Sequence, residues 1–206
     1  FVIEGKEKSE QYPKDTIAKV AQMGIVKAGE IQIPARVILS SGSEKFPGFR
    51  FLQKKSYSCG NLKNTVEEYE HIQTGIEFVL VPGGSFQMGG SENDEKPIHE
   101  VTLPPFLMGK YLVTQAQWQK VMGNNPSCFQ GDDKLPVEQV SWDDCQQFCK
   151  KTGLNLPSEA QWEYACRAGS TGEYCFGDDE SKLSEYAWDN ENSDRQAHPV
   201  GEKKPN

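Results

Sequence analysis

Chemistry in this 206-residue chain would have to come from its thiols, its three histidines or a run of acidic and amide side chains near its end, and each makes a different demand on spacing. Six cysteines stand at positions 59, 128, 145, 149, 166 and 175, with no CxxC pair and no Cys/His grouping at zinc-finger spacing, so they do not make a zinc framework. Cys145 and Cys149 are i and i+4 on an expected helix and can meet on one face. With Cys166, they read as small hydrophobes of the core rather than as ligands. Cys128 and Cys175 fall in expected loops, where an oxidising compartment allows them to join as a disulfide. Asp189, Asn190, Glu191, Asn192 and Asp194 bring together the oxygen donors that a hard cation such as calcium takes, although such runs are more often solvated. His71, His99 and His198 are tied by no motif to a Ser or Cys nucleophile, so no catalytic triad is expected. The glycine pairs Gly83-Gly84 and Gly89-Gly90 lack the strand-to-helix context of a phosphate loop and read as turn glycines.

The elements that must position these groups are clearest in the second part of the chain. Glu77 to Val81, the reversal Pro82-Gly83-Gly84 and Ser85 to Gly89 read as a β-hairpin, because two apolar runs flank a glycine-rich turn. A polar loop over Ser91 to Lys96 leads to a third strand, His99 to Leu103, which Pro104-Pro105 ends. Three short helices follow, each opened by a Ser or Thr. Thr114 and Gln117 form a capping box ahead of the stripe Trp118, Val121 and Met122, with Gly123 as the stop. Ser141 caps the second, with Asp143 and Asp144 in its first turn, the stripe Trp142, Cys145, Phe148 and Cys149, and Gly153 at its end. Ser158 and Gln161 box the third, Gly169 is its expected left-handed stop, and Glu163 and Arg167 are spaced as an ion pair. Trp118, Trp142 and Trp162 each head an apolar stripe and are expected to share a core.

Residues 1–75 read differently. A short helix over Asp15 to Met23, one or two strands around Ile31 to Leu39 interrupted by Pro34, a turn at Pro47-Gly48 before Phe49 to Leu52, and a polar helix or connector over Asn61 to Ile72 are the expected elements. This part carries a net charge of +2 and residues 76–206 carry −10, so the −8 of the chain comes from its second part. An acidic surface of this kind repels phosphate backbones, which argues against nucleic acid and favours cations or a basic protein or peptide as partner, with a C-terminal continuation of the chain or a larger multidomain protein as the other expected partners. A mean hydropathy of −0.67 and the absence of any 18-residue apolar run argue against a membrane span.

Five segments in order carry a resemblance: Phe78 to Gly89, Val113 to Trp118, Pro136 to Trp142, Leu156 to Ala165 and His198 to Gly201. Together they closely resemble the formylglycine-generating enzyme family, also called sulfatase-modifying factors, over about Gly75 to Asn206, leaving residues 1–75 as an N-terminal β-containing region outside it. The resemblance implies an α+β domain of sulfatase-modifying-factor, C-type-lectin-like topology, with short helices, small antiparallel sheets and much irregular structure. Active members oxidise a cysteine of a client sulfatase to formylglycine with molecular oxygen and a copper(I) ion held by two thiolates, a soft ligand pair suited to that ion. Other members of the fold are not oxidases. The catalytic cysteine pair of the family corresponds to positions after Asn206, and the last residues, His198 to Asn206, are extended and polar, so the polypeptide is expected to continue and the domain to be truncated here. Copper then enters only with the missing C-terminal part, and the chain as it stands is expected to be a non-catalytic binding or scaffold module. The alternative is the N-terminal portion of a copper-dependent oxidase. Family members also bind calcium near the position matched by Asp189 to Asp194, where this chain departs by placing Trp188 at the position of an expected Asn.

Overall fold

The computed structural model describes residues 45–90 and 95–206. The helix expected over Asp15 to Met23, the strands around Ile31 to Leu39 and residues 91–94 of the polar loop lie outside the described residues.

Phe49–Cys59 (β1) turns at Gly60 and returns as Leu62–His71 (β2), antiparallel, with Phe49 opposite His71 and Cys59 opposite Leu62. β2 pairs in turn with Glu77–Val81 (β3). Two strands of a smaller sheet, Gly84–Met88 (β4) and His99–Leu103 (β5), intervene before Phe106–Gly109 (β6) returns to β3. The larger sheet therefore has the order β1-β2-β3-β6, and β4-β5 stand apart from it. Three helices follow: Gln115–Met122 (α1), Trp142–Thr152 (α2) and Glu159–Arg167 (α3). A 3-10 turn at Glu180–Lys182 then runs into one turn of helix, Leu183–Tyr186 (α4). Short helices beside small antiparallel sheets make this an α+β fold.

The helix boundaries follow the capping chemistry. Thr114, Ser141 and Ser158 each accept the N3 backbone N–H, and the N3 side chains Gln117, Asp144 and Gln161 reach back to close three capping boxes. Gly123 and Gly153 end their helices in the left-handed region. At the third helix the stop falls one residue earlier than expected: Ala168 itself is left-handed at φ 49, and Gly169 continues at φ 91.

Two expectations for the strands are corrected. Asn61 to Ile72 is not a polar helix or connector but contains the whole of β2. Its glutamates suggested solvent and its spacing a helix, yet pairing with β1 along its whole length overrides that weak propensity, and one glutamate is buried by a cation from elsewhere in the sheet. Nor do Glu77 to Val81 and Ser85 to Gly89 form a hairpin, since β3 pairs with β2 and β6 while β4 pairs with β5. The chain changes sheets at Gly83, where a Cβ would stand 2.6 Å from the Leu103 carbonyl oxygen and 2.7 Å from the Pro105 nitrogen. Only a residue without a side chain fits where that crossing strand slides past Pro104-Pro105. The division expected after residue 75 falls between β2 and β3, two hydrogen-bonded strands of one sheet.

Two apolar clusters hold the layers together. Phe46, Phe49 and Tyr69 form the first, Ile76, Trp118 and Phe148 the second, and Phe78 and Leu154 pack against both. Trp118, 2% exposed, stacks on Phe148 at 5.2 Å between ring centres. The expectation that three tryptophans share this core holds for Trp118 alone. Trp142 is 44% and Trp162 49% exposed, because α2 buries Cys145, Phe148, Cys149 and Thr152, and α3 buries Gln161. α3 docks through Tyr164, which meets Phe86 edge-on at 5.2 Å, so Trp162, two residues earlier on the helix, points elsewhere.

A Gly83→Ala substitution is predicted to cost about 2 kcal/mol, since backbone on both sides must shift to admit one methyl group. A lowered urea midpoint with an unchanged slope is the expected result.

Candidate functional site

Of the groups that chemistry would need, the carboxylates of β2 are the most unusual in their setting. Glu68 is 1% exposed. Its Oε2 accepts from Gln53 at 2.7 Å and its Oε1 from the Tyr57 hydroxyl, both on β1, and Lys110 Nζ, just past β6, lies 3.0 Å from Oε1 and 3.0 Å from Glu77 Oε2 on β3. Burial by itself would raise the Glu68 pKa, but the donors from Tyr57, Gln53 and Lys110 outweigh it and hold the carboxyl below its ordinary range. The same balance keeps Lys110 protonated: burial works against its charge, and Glu77, Tyr57 and Glu68 more than compensate. The network is satisfied by its own members, so its role is to fasten strands. On the opposite face of β2, Glu67 takes Lys45 at 2.8 Å and the Tyr69 hydroxyl at 2.6 Å, which, Lys45 foremost, brings its pKa down to about 2.

The cysteines divide otherwise than expected. Cys145 and Cys149 are buried in α2, where burial raises both thiols and takes Cys149 up to about 11. That setting suits core packing and does not fit copper, which needs thiolates. Cys166, expected in the core, is exposed, because the face of α3 that docks is the one bearing Gln161 and Tyr164. Cys175 does face another thiol, but that thiol is Cys59, at 2.9 Å between sulfurs, and not the exposed Cys128. Among the described residues, no three His, Cys, Asp or Glu side chains converge as a metal site.

The run proposed for calcium forms a tight polar turn. Asp189 Oδ1 accepts the N–H groups of Glu191 at 2.8 Å and Asn192 at 3.1 Å, while Asn192 Oδ1 accepts the N–H of Asp189 at 3.0 Å and its amide donates to the Ala187 carbonyl. Asp194 lies just beyond at φ 51. Three of the four residues expected there, Asp189, Asn190 and Asn192, are thus in one turn. Beside it, Trp188 stacks on His198 at 3.7 Å between ring centres and carries the Lys203 ammonium 3.6 Å from its ring, which fastens the last residues to the turn.

Each histidine has a hydrogen-bond partner close by in the chain. His198 meets the Ser193 carbonyl at 2.9 Å, His99 the Pro97 carbonyl at 2.8 Å, and His71 the Thr74 hydroxyl at 2.9 Å. Sequence reasoning missed both the buried Glu68 pair and the Cys59–Cys175 contact. Glu68 pairs with a cation 42 positions later and Cys59 lies 116 from Cys175, and no local spacing encodes either.

Against this geometry the comparisons are decisive. Residues 63–206 match the sulfatase-modifying factor enzyme 1-like domain. The chain belongs to this family. A chaperone protein, LppX, of Paenibacillus barcinonensis is 31% identical over 63% of the chain and 65% of its own length. The formylglycine-generating enzyme of Mycobacterium tuberculosis is 26% identical, with 50% of this chain and 56% of the enzyme covered. Among solved structures, Treponema denticola variable protein 1 superposes with a TM-score of 0.58 at 27% identity, covering 74% of this chain and 70% of that one. The chain thus spans between about half and two thirds of the length of these two sequence relatives. The family match begins inside β2, and β1, which precedes the matched residues, is hydrogen-bonded to β2. No helix among the described residues is long and apolar enough to cross a membrane.

Buried His71 gives this sulfatase-modifying-factor-like domain a pH signature. Burial first, and then the charge of Lys120, lowers its pKa from the ordinary 6.5. Below pH 6.5 the unfolded chain takes up a proton that the folded chain refuses, so this contribution to stability is full above that pH and declines as pH falls. Chemical denaturation at pH 7.5 and 5.5 is expected to show a smaller loss of stability in His71→Gln than in the parent.

Proposed function

We propose that the domain acts as a non-catalytic binding or scaffold module that offers aromatic side chains to a protein or peptide partner. The observation that carries this reading is the display of tryptophan on firmly held backbone: Trp142 and Trp162 stand half-exposed in the first turn of capped helices, and Trp188, 40% exposed, is braced by His198 and Lys203. Rigid, partly solvated aromatic side chains are the usual anchors of interfaces, since they bring large contact area at low entropic cost. The net −10 of residues 76–206 favours a partner with a basic surface. The likeness to a protein named as a chaperone points the same way.

A second reading, the N-terminal part of a copper-dependent oxidase that converts a sulfatase cysteine to formylglycine, rests on the likeness to the M. tuberculosis enzyme. The buried thiols of α2 do not support copper, so its thiolates would have to come from elsewhere. The two readings part in one experiment. The chain is incubated aerobically with copper(I) and a cysteine-containing sulfatase peptide, and binding of a lysine-rich peptide is followed by tryptophan fluorescence. Unchanged peptide thiol is expected, with lysine-peptide affinity reduced about tenfold by Trp142→Ala or Trp162→Ala. An aldehyde formed by the chain itself sinks the binding reading.

For the turn from Asp189 to Asp194 we propose a weak calcium site built from oxygens of Asp189, Asn190, Asn192 and Asp194 that remain after the backbone N–H groups are served. Millimolar calcium is expected to raise the melting temperature by a few degrees over chelator, and Asp189→Asn to remove the rise. An identical melting curve with and without calcium refutes the site.

A further inference from the structure

The two thiols that meet across the fold join the tip of the β1–β2 hairpin to a loop after α3, and both sides of the contact are rigid. Cys59 is buried at the end of β1, and its sulfur approaches Cys175 to 2.9 Å, with the Cys59 thiol as donor. Beside it the two backbones touch: a Cβ on Gly60 would stand 2.9 Å from the Phe176 carbonyl oxygen. Asn64 donates to the Ala168 carbonyl at 3.4 Å, a second tie between the hairpin and the segment after α3. On the other side, Cys175 occupies a closed turn in which Tyr174 and Gly177 exchange backbone hydrogen bonds at 3.1 and 3.2 Å. Ser170 Oγ donates to the Tyr174 carbonyl, and Asp178 accepts the Glu173 N–H. The rings of Tyr174 and Phe176 stack at 5.0 Å, and Phe176 stacks again on Tyr186 at 4.3 Å. Cys175 sits between two rings that are anchored among themselves, and its sulfur turns to the hairpin.

Two thiols so placed have three ordinary uses. As core hydrophobes they would need no convergence of sulfurs, and other side chains of similar size would serve. As ligands of one tetrahedral metal, sulfurs each about 2.3 Å from the ion stand about 3.8 Å apart, well beyond the separation seen. At 2.9 Å the sulfurs stand about midway between that spacing and a covalent bond of about 2.05 Å, too close for two ligands of one ion. We propose that Cys59 and Cys175 form an intrachain disulfide that ties the β1–β2 hairpin to the loop over residues 170–178. The oxidant is a disulfide of the glutathione type. Burial, and then the contact with Cys59, push the Cys175 thiol up to about 12, so exchange is slow at neutral pH and faster in alkaline buffer. The thiolate that forms on Cys175, the less buried of the two, attacks that disulfide and releases one thiol, leaving a mixed disulfide on Cys175. The Cys59 thiolate then attacks Cys175 Sγ and expels the second thiol. The protein loses two protons and two electrons, and the oxidant is reduced to two thiols. Closing a loop between residues 116 positions apart restricts the unfolded chain strongly, so the bridge stabilises the fold most where the hairpin would otherwise peel away.

The test uses the whole chain, reduced or equilibrated with glutathione disulfide, followed by alkylation of remaining thiols, digestion without reductant and mass spectrometry. The expected product is one cross-linked pair of peptides containing Cys59 and Cys175, lighter by two hydrogens, and a melting temperature about 10 °C above that of the reduced chain. The comparison of oxidised and reduced parent needs no variant. Cys59→Ser and Cys175→Ser should each abolish the difference, and Cys128→Ser should leave it intact. The proposal is overturned if Cys175 is found joined to Cys128 or Cys166, if Cys59 and Cys175 are alkylated in full after oxidation, or if the gain in melting temperature survives Cys59→Ser.

Discussion

A single buried ion pair ties the larger sheet together. Lys110 stands where the chain leaves β6, and its ammonium is shared between Glu68 of β2 and Glu77 of β3, while Glu68 also receives Gln53 and Tyr57 from β1. Every strand of the sheet therefore contributes to, or adjoins, one polar knot in a setting where each charge is costly alone and satisfied in company. The knot also specifies register. A slip of β2 by one residue would turn Glu68 to the face of Tyr69 and present Tyr69 to Lys110. Glu67 and Tyr69, with Lys45, form the corresponding polar and aromatic group on the other face, so both sides of β2 are spoken for.

From this sheet the rest of the domain is assembled by shared apolar residues. Phe78 of β3 and Leu154 after α2 pack against both clusters, which couples the hairpin to the helices. Through these two residues Phe46, Phe49 and Tyr69, which precede residue 76, pack against the same side chains as the helices do. The helices themselves are locally decided, with caps at both ends, and they meet the core through Trp118, Phe148 and Tyr164.

What could be read in the letters divides along the distance between interacting groups. The capping boxes, the Gly123 and Gly153 stops and the Glu163–Arg167 pair depend on residues three to five apart and were legible, as were the ordered segments that carry the family resemblance. The identity of β2 was not, because Glu67, Glu68 and Glu70 advertise a solvated surface until Lys110 and Lys45 are placed beside them. The partition of β3 and β4 between two sheets depends on Gly83 passing Pro104-Pro105, a contact that hairpin rules do not anticipate. Among the cysteines, the fate of Cys145 and Cys149 followed from helix periodicity, whereas Cys175 needed knowledge of where a hairpin 116 residues earlier would lie. Trp162 misled because a tryptophan heading an apolar stripe suggests a docking face, and the helix instead docks through Gln161 and Tyr164.

The Glu163–Arg167 pair has a further effect at the edge of the smaller sheet. Glu163 Oε1 accepts the Gly89 N–H at 3.0 Å, and Arg167 donates to the Gly89 carbonyl at 2.9 Å, just beyond the end of β4. Two side chains of α3 thereby supply the donor and acceptor that a neighbouring strand would have offered there. With its last backbone groups already engaged, β4 offers a shortened template for strand addition by another molecule, so a pair that looks like ordinary helix stabilisation also works against edge-to-edge aggregation.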